Sequence, residues 1–327
     1  MQAKQGLLTI LKRSGYLEWC AFFMVAILGF GSSFYWIKVA VRDISPLELV
    51  AYRSSIAAIF LWSVVWFTKT PVPKNLRIIA KIVCAGIVGG ALPNALISWG
   101  EYYVHSSIAG VLIGLCPVFT ILLSWLFISG TELSKARMLG VIIGFAGVYV
   151  ILSPKLDARL IVTQVVPELA IVLAAICYSV FSVFAKINFT KQHPIALAAI
   201  SSTASAVFML SVALYNNNTL HLPSNYGVWC AVLWIGVITG ALSQILIYHL
   251  IRAWGAARLA MITYLMPVVA VLLGIFALGE RLELQTTIGA AIIMLSIYMV
   301  NRKGSRVPER WWKIGSFTAN EKKFPTA

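Results

Sequence analysis

The side chains of this sequence that could do chemistry sit in apolar surroundings. Asn94, Ser98 and Tyr102 follow one another at i, i+4 and i+8, and about 150 residues further on Gln244, Tyr248 and Arg252 repeat the spacing. On a helix that spacing places three polar groups along one face. An unpaired amide or hydroxyl in hydrocarbon costs roughly 2–7 kcal/mol, so both faces are expected to turn toward protein or a wet cavity. They either line a solute path or hydrogen-bond neighbouring helices together. Ser33 and Trp36, Tyr178 and Ser182, and Thr263 and Tyr264 add hydroxyls and aromatic rings in other apolar runs. Together these groups suit a neutral or zwitterionic organic solute with an apolar part.

Charged side chains inside apolar runs are few. Arg53 lies about two turns into one run, and Glu101, near the same end of another, is its expected partner; snorkelling of Arg53 to the interface is the other reading. Lys38, Lys186, His249 and Arg252 fall near the ends of runs. Both aspartates, Asp43 and Asp157, lie between runs, and no glutamate stands at mid-run. A carboxylate relay for protons therefore has no evident seat, and facilitated diffusion or exchange is expected. There is no His-Glu-x-x-His, no Gly-x-Ser-x-Gly and no phosphate-binding Gly-rich loop. Neither enzymatic nor ATP-driven chemistry is expected, nor a metal or cofactor. The five cysteines have no paired spacing and read as small core residues.

The elements that must position these residues follow from hydropathy. Of 327 residues, 60% are hydrophobic and only 11% charged, with a mean hydropathy of +0.88. A soluble chain carries about 25% charged residues, so lipid has to be part of the solvent. Ten apolar runs, at 17–40, 46–68, 78–103, 107–129, 136–153, 167–187, 194–215, 227–251, 257–279 and 284–301, each approach the ~20 residues that cross a bilayer as a helix. The expected fold is all-α and integral to the membrane. Pro93, Pro117 and Pro267 fall inside runs and are expected to loosen those helices, either as fixed kinks or as hinges. Gly86, Gly89, Gly90, Gly110, Gly114, Gly236 and Gly240 are assigned to close helix packing.

The runs are organised by an internal repeat. Gly90-Ala91-Leu92 recurs as Gly240-Ala241-Leu242, and Pro117-Val118 as Pro267-Val268; Lys38 and Pro46 match Lys186 and Pro194. Residues 17–154 and 167–303 thus form two five-helix repeats joined by an external linker at 155–166. Five is odd, so the second repeat enters from the opposite side. Twenty of the 26 lysines and arginines lie in the 1–16 segment, in alternate loops and in the 304–327 tail with its approach, against five in the other loops. The positive-inside rule therefore puts both termini in the cytoplasm. The net charge of +15 reads as topology and as attraction of the basic tail to anionic lipid, not as nucleic-acid binding.

The five-plus-five arrangement, the Arg53-containing second run after Ile44-Ser45-Pro46-Leu47, and the Pro-Val-x-x-x-Leu-Leu pattern of runs 4 and 9 resemble the EamA-type branch of the drug/metabolite transporter superfamily over residues 17–303. The second copy ends in Leu278-Gly279-Glu280-Arg281-Leu282. The first departs, with Ser129-Gly130-Thr131-Glu132 in that place. The resemblance implies a secondary transporter of small metabolites in a bacterial inner membrane, often an exporter of amino acids or their analogues. A nucleotide-sugar or phosphometabolite exchanger of the same superfamily, and a channel or non-transporting interaction protein, are the alternatives.

Overall fold

The computed structural model describes residues 16–128, 133–153, 165–189, 191–217, 220–254 and 262–301. Within them the chain forms ten apolar helices: α1 (Tyr16–Ala40), α2 (Pro46–Phe67), α3 (Leu76–Tyr103), α4 (Ser106–Phe127) and α5 (Lys135–Leu152) in the first half. The second half has α6 (Val166–Asn188), α7 (Pro194–Asn217), α8, α9 (Ile262–Leu278) and α10 (Leu284–Asn301). Helix α8 runs through Tyr226–Leu233, Trp234–Leu242 and Ser243–Trp254. The loop holding Ser129–Glu132 and the 155–164 part of the linker lie outside the described residues.

Local signals set the helix starts. Ser45 and Glu48 form a reciprocal capping box at the head of α2, with Pro46 at the first helical position. Asn75, Ser134 and Asn225 each accept a backbone N–H at the heads of α3, α5 and α8. Many large apolar side chains remain on the outside, among them Ile59, Trp66, Phe67, Leu126 and Phe276. In water such a belt would drive aggregation; in a bilayer it is the solvated surface. The same physics corrects the reading of the cysteines. All are free, and Cys20, Cys84 and Cys230 are exposed on this outer surface, where lipid accepts a thiol as readily as the interior does.

Counterpart helices of the two halves pack antiparallel. Along α5 and α10, Gly140 meets Val300, Gly144 meets Ser296, and Gly147 meets Ile293. A Cβ on Gly289 would lie 2.9 Å from the carbonyl oxygen of Gly147, so the two backbones touch. Helix α4 descends along α9 in the same way, with Gly110 against Ala270 and Gly114 beside Pro267. Helices α2 and α7 pair through Trp62, whose indole N–H donates to Thr203 Oγ1 at 2.9 Å. Antiparallel contact between matching helices is the signature of an inverted repeat.

Three helices are not α-helical throughout. Met24–Gly31 in α1, Ile87–Ala91 in α3 and Trp234–Leu242 in α8 are wound as π-helix. The last two are repeat counterparts, and both contain the Gly-Ala-Leu signature or its beginning. Wider turns place carbonyls off the regular ladder, and side chains meet several of them. Thr239 Oγ1 donates to the Gly29 carbonyl at 3.0 Å, Ser205 Oγ to Gly86 at 2.8 Å, and Asn94 Nδ2 to Gly90 at 2.7 Å. Hydroxyls inside an apolar bundle are thus tied to irregular backbone, which lipid could not solvate.

Candidate functional site

A cavity of about 940 Å³ lies between the two halves. Its walls come from helices of both: Ser33, Phe34 and Ile37 of α1, Arg53 and Ser54 of α2, Asn94 and Ile97 of α3, and Pro117, Thr120 and Ser124 of α4. Opposite them stand Tyr178 and Ser182 of α6, Ser201, Ser202 and Ser205 of α7, Thr239 and Gln244 of α8, and Thr263 and Tyr264 of α9. Arg137 and Asn301 mark how far it reaches. It extends to the end of the bundle where α10 finishes, here the Asn301 end, and stops short of the opposite end at Ile37, Arg53 and Ile97.

Polar contacts between the halves close that opposite end. After α9, Gly279 adopts the left-handed conformation (φ 69°), which ends the helix, and the N–H of Glu280 returns to the Gly274 carbonyl at 2.9 Å. The turn aims Glu280 at the head of α4. Its Oε1 accepts from Ser106 N at 2.7 Å and Ser106 Oγ at 2.9 Å, and its Oε2 from Ser107 N at 3.0 Å and from the Ser107 hydroxyl. Burial raises the carboxyl pKa of Glu280, but the His105 ring 3.8 Å away and the hydrogen bonds from Ser107 and Ser106 outweigh it and hold the group down at about 2. Alongside, Glu48 Oε1 receives His221 N and Nδ1 at 2.9 and 3.0 Å, Asp43 accepts from Ser224 N and Oγ, and Tyr52 donates to the His221 carbonyl. Lys38 Nζ bridges the carbonyls of Glu101 and Val104 at the tail of α3.

The expected site residues divide. Ser33, Asn94, Tyr178, Ser182, Gln244, Tyr264, Arg53 and Pro117 line the cavity. Tyr178 OH donates to Asn94 Oδ1 at 3.0 Å, which fixes both on facing helices. Of the Asn94 stripe, only Asn94 reaches the cavity. Ser98 is fully buried beyond its closed end, and Tyr102 is 56% exposed on the outside, stacked edge-on with Tyr103. An i, i+4, i+8 row drifts around a 3.6-residue helix, and the cavity ends one turn below Tyr102. Trp36 packs against Trp234, ring centroids 5.4 Å apart, instead of lining the cavity. The side chains of Tyr248 and Arg252 lie outside the described residues.

Glu101 is fully buried, does not line the cavity, and neither carboxyl oxygen has a hydrogen-bond partner. The expected ion pair between Glu101 and Arg53 is absent; their charged nitrogens and oxygens lie more than 4 Å apart. The prolines differ from one another. Pro117 starts the second part of α4 after a break at Gly114–Leu115, Pro93 sits in the first α-turn after the π stretch of α3, and Pro267 lies within a continuous α9. Sequence reasoning missed the α7 serines and Thr239. Ser201, Ser202 and Ser205 at i, i+1 and i+4 in an apolar run were the available signal.

Inverted five-helix repeats around a cavity closed at one end define a multi-pass membrane transporter by architecture. The profile of the EamA-like transporter family matches residues 17–153 and again 166–302, and the chain belongs to that family. An uncharacterized transporter of Archaeoglobus fulgidus is 26% identical over 276 residues, covering 84% of this chain and 95% of the relative. The uncharacterized transporter YyaM of Bacillus subtilis is 24% identical, covering 84% and 91%. The uncharacterized inner membrane transporter YedA of Escherichia coli is 26% identical, covering 83% and 86%. A solved crystal structure shares the fold with a TM-score of 0.59 at 18% identity, covering 88% of this chain and 97% of that one.

Proposed function

We propose that the protein is a secondary transporter of the bacterial inner membrane. It moves a small amphipathic metabolite, an amino acid or analogue, out of the cell by alternating access. The observation that carries this reading is the asymmetry of the cavity: it reaches the Asn301 end but is sealed at the Glu280 end by hydrogen bonds between the halves. Two inverted repeats can exchange these conditions by rocking against each other around a fixed site. About 940 Å³ accommodates a solute of metabolite size. The lining mixes hydroxyls, amides and the phenols of Tyr178 and Tyr264 with Phe34, Ile37 and Ile113, which fits a solute with a polar head and an apolar body.

Lysine and arginine bias puts the Asn301 end in the cytoplasm, so this state faces inward. Reporter fusions after Lys69, Lys135 and Arg302 should then read as cytoplasmic, and those after Arg42 and Lys155 as external. Substrate is found by uptake into liposomes of the purified protein across labelled amino acids, aromatic compounds and nucleosides. Saturable uptake of at least one class is expected; none at all with correctly inserted protein would sink the transporter reading.

A further inference from the structure

We infer that Arg53 anchors a carboxylate of the transported solute, so that the cargo is a small amphipathic monocarboxylate or zwitterion. The inference rests on the transporter reading above. Arg53 is only 7% exposed, on α2 at the closed end of the cavity, and its side chain contributes to the wall. A guanidinium carries five N–H donors, cannot accept, and stays charged. Among the described residues none accepts a hydrogen bond from the Arg53 side chain and none forms an ion pair with it. Glu101, the acidic group whose field it feels, is more than 4 Å away and outside the cavity wall. A desolvated cation facing a cavity whose lining holds no carboxylate calls for an anion delivered with the solute.

The neighbours say which anion. Tyr178 is close enough for its hydroxyl to interact electrostatically with Arg53. Its O–H is already committed to Asn94 Oδ1, and one Asn94 N–H to the Gly90 carbonyl. What these two groups keep are acceptor lone pairs on the Tyr178 and Asn94 oxygens and the second Asn94 N–H. A donor-only cation beside two acceptor oxygens matches a carboxylate next to an ammonium: the carboxylate on Arg53, the ammonium on the Tyr178 and Asn94 oxygens. Phe34, Ile37 and Ile97 supply the apolar wall for the remainder. A phosphate dianion fits less well, because the other arginine of the lining, Arg137, stands at the opposite reach of the cavity on α5.

The test uses the full chain and matched trios: leucine and phenylalanine, their amides, and their aminophosphonate analogues. Thermal stabilisation in detergent reads binding, and counterflow in liposomes reads transport. Wild type should prefer the carboxylate member, and Arg53→Gln should lower its apparent affinity roughly ten- to a hundredfold while leaving the amide unchanged. Arg53→Lys keeps the charge but not the two-pronged geometry. It should retain a weakened preference, which also provides the reading if Arg53→Gln does not fold. Equal binding of acid and amide, preference for the phosphonate, or a folded Arg53→Gln that still prefers the acid would overturn the anchor. Transport confined to solutes without a carboxylate would overturn it too, yet leave the transporter reading standing. Failure to move any of these or any solute of the wider screen would remove both.

Discussion

The Oε1 atom of Glu280 lies 2.7 Å from the backbone nitrogen of Ser106, so a residue of the second repeat caps a helix of the first. The head of α4 would otherwise leave backbone N–H groups unsatisfied in an apolar bundle. The bond does two things at once: it completes α4 and holds the Glu280 end shut.

Glu280→Gln should weaken that closure by about 1–3 kcal/mol, because a charged acceptor is replaced by a neutral one. With the native cysteines replaced, a cysteine at Ile37 should then react several-fold faster with an impermeant maleimide from the Glu280 side. Unchanged labelling would show that the Glu48–His221 and Asp43–Ser224 contacts suffice. The pH dependence follows from a depressed carboxyl. The contribution is fully present above the ordinary value of 4.5 and is lost only as pH falls toward about 2. The groups facing Glu280 are His105, Lys38 and Glu101. Labelling should stay flat from pH 5 to 8, whereas a step in that window would show that Glu280 does not set the closure.

Asn94→Leu and Gln244→Leu should both impair transport, with different effects on stability. Asn94 carries two hydrogen bonds, to Tyr178 and Gly90, and its loss leaves a half-buried phenol without its acceptor and a carbonyl without its side-chain donor; about 1–3 kcal/mol of stability should go with it. Gln244 lines the cavity on α8, where the substitution removes a polar lining group. It should leave the melting temperature within a degree or two while transport falls. If both variants transport normally, the polar faces only tie helices together.

Gly289→Val tests the pairing of α5 with α10. A Cβ there would meet the Gly147 backbone and the Ile151 side chain, neither of which can move aside easily. Overpacking of this kind costs about 1–3 kcal/mol or more, visible as a lower unfolding temperature in detergent. A variant as stable as wild type would mean that the two helices separate without penalty.

Glu101→Gln should leave coupling unaltered. Glu101 is buried outside the cavity, and Lys38 is bonded to its backbone carbonyl. In liposomes preloaded with unlabelled solute, counterflow should proceed at the same rate with and without a pH gradient, in wild type and variant alike. Accumulation that requires the gradient and disappears in the variant would make Glu101 a proton carrier.

Spans, repeat and inversion were legible along the chain because each rests on a local or periodic quantity. Apolar length against bilayer thickness marks a helix, and the return of Gly-Ala-Leu and Pro-Val at one offset marks the repeat. Arg53, Asn94, Tyr178 and Gln244 were legible for the same reason, since a polar group in hydrocarbon must answer to something. What it answers to was not. Asn94, Ser98 and Tyr102 share one spacing, but only the placement of the cavity's closed end decides that the first faces solute, the second protein and the third the exterior. The partner of Glu280 lies 174 positions away, at Ser106, and no periodicity connects a turn after one helix with the head of another. Likewise Arg53 and Glu101 look like a pair when counted from helix ends. Their separation depends on how α2 and α3 are rotated about their own axes, which side-chain packing among ten helices sets and linear spacing does not record.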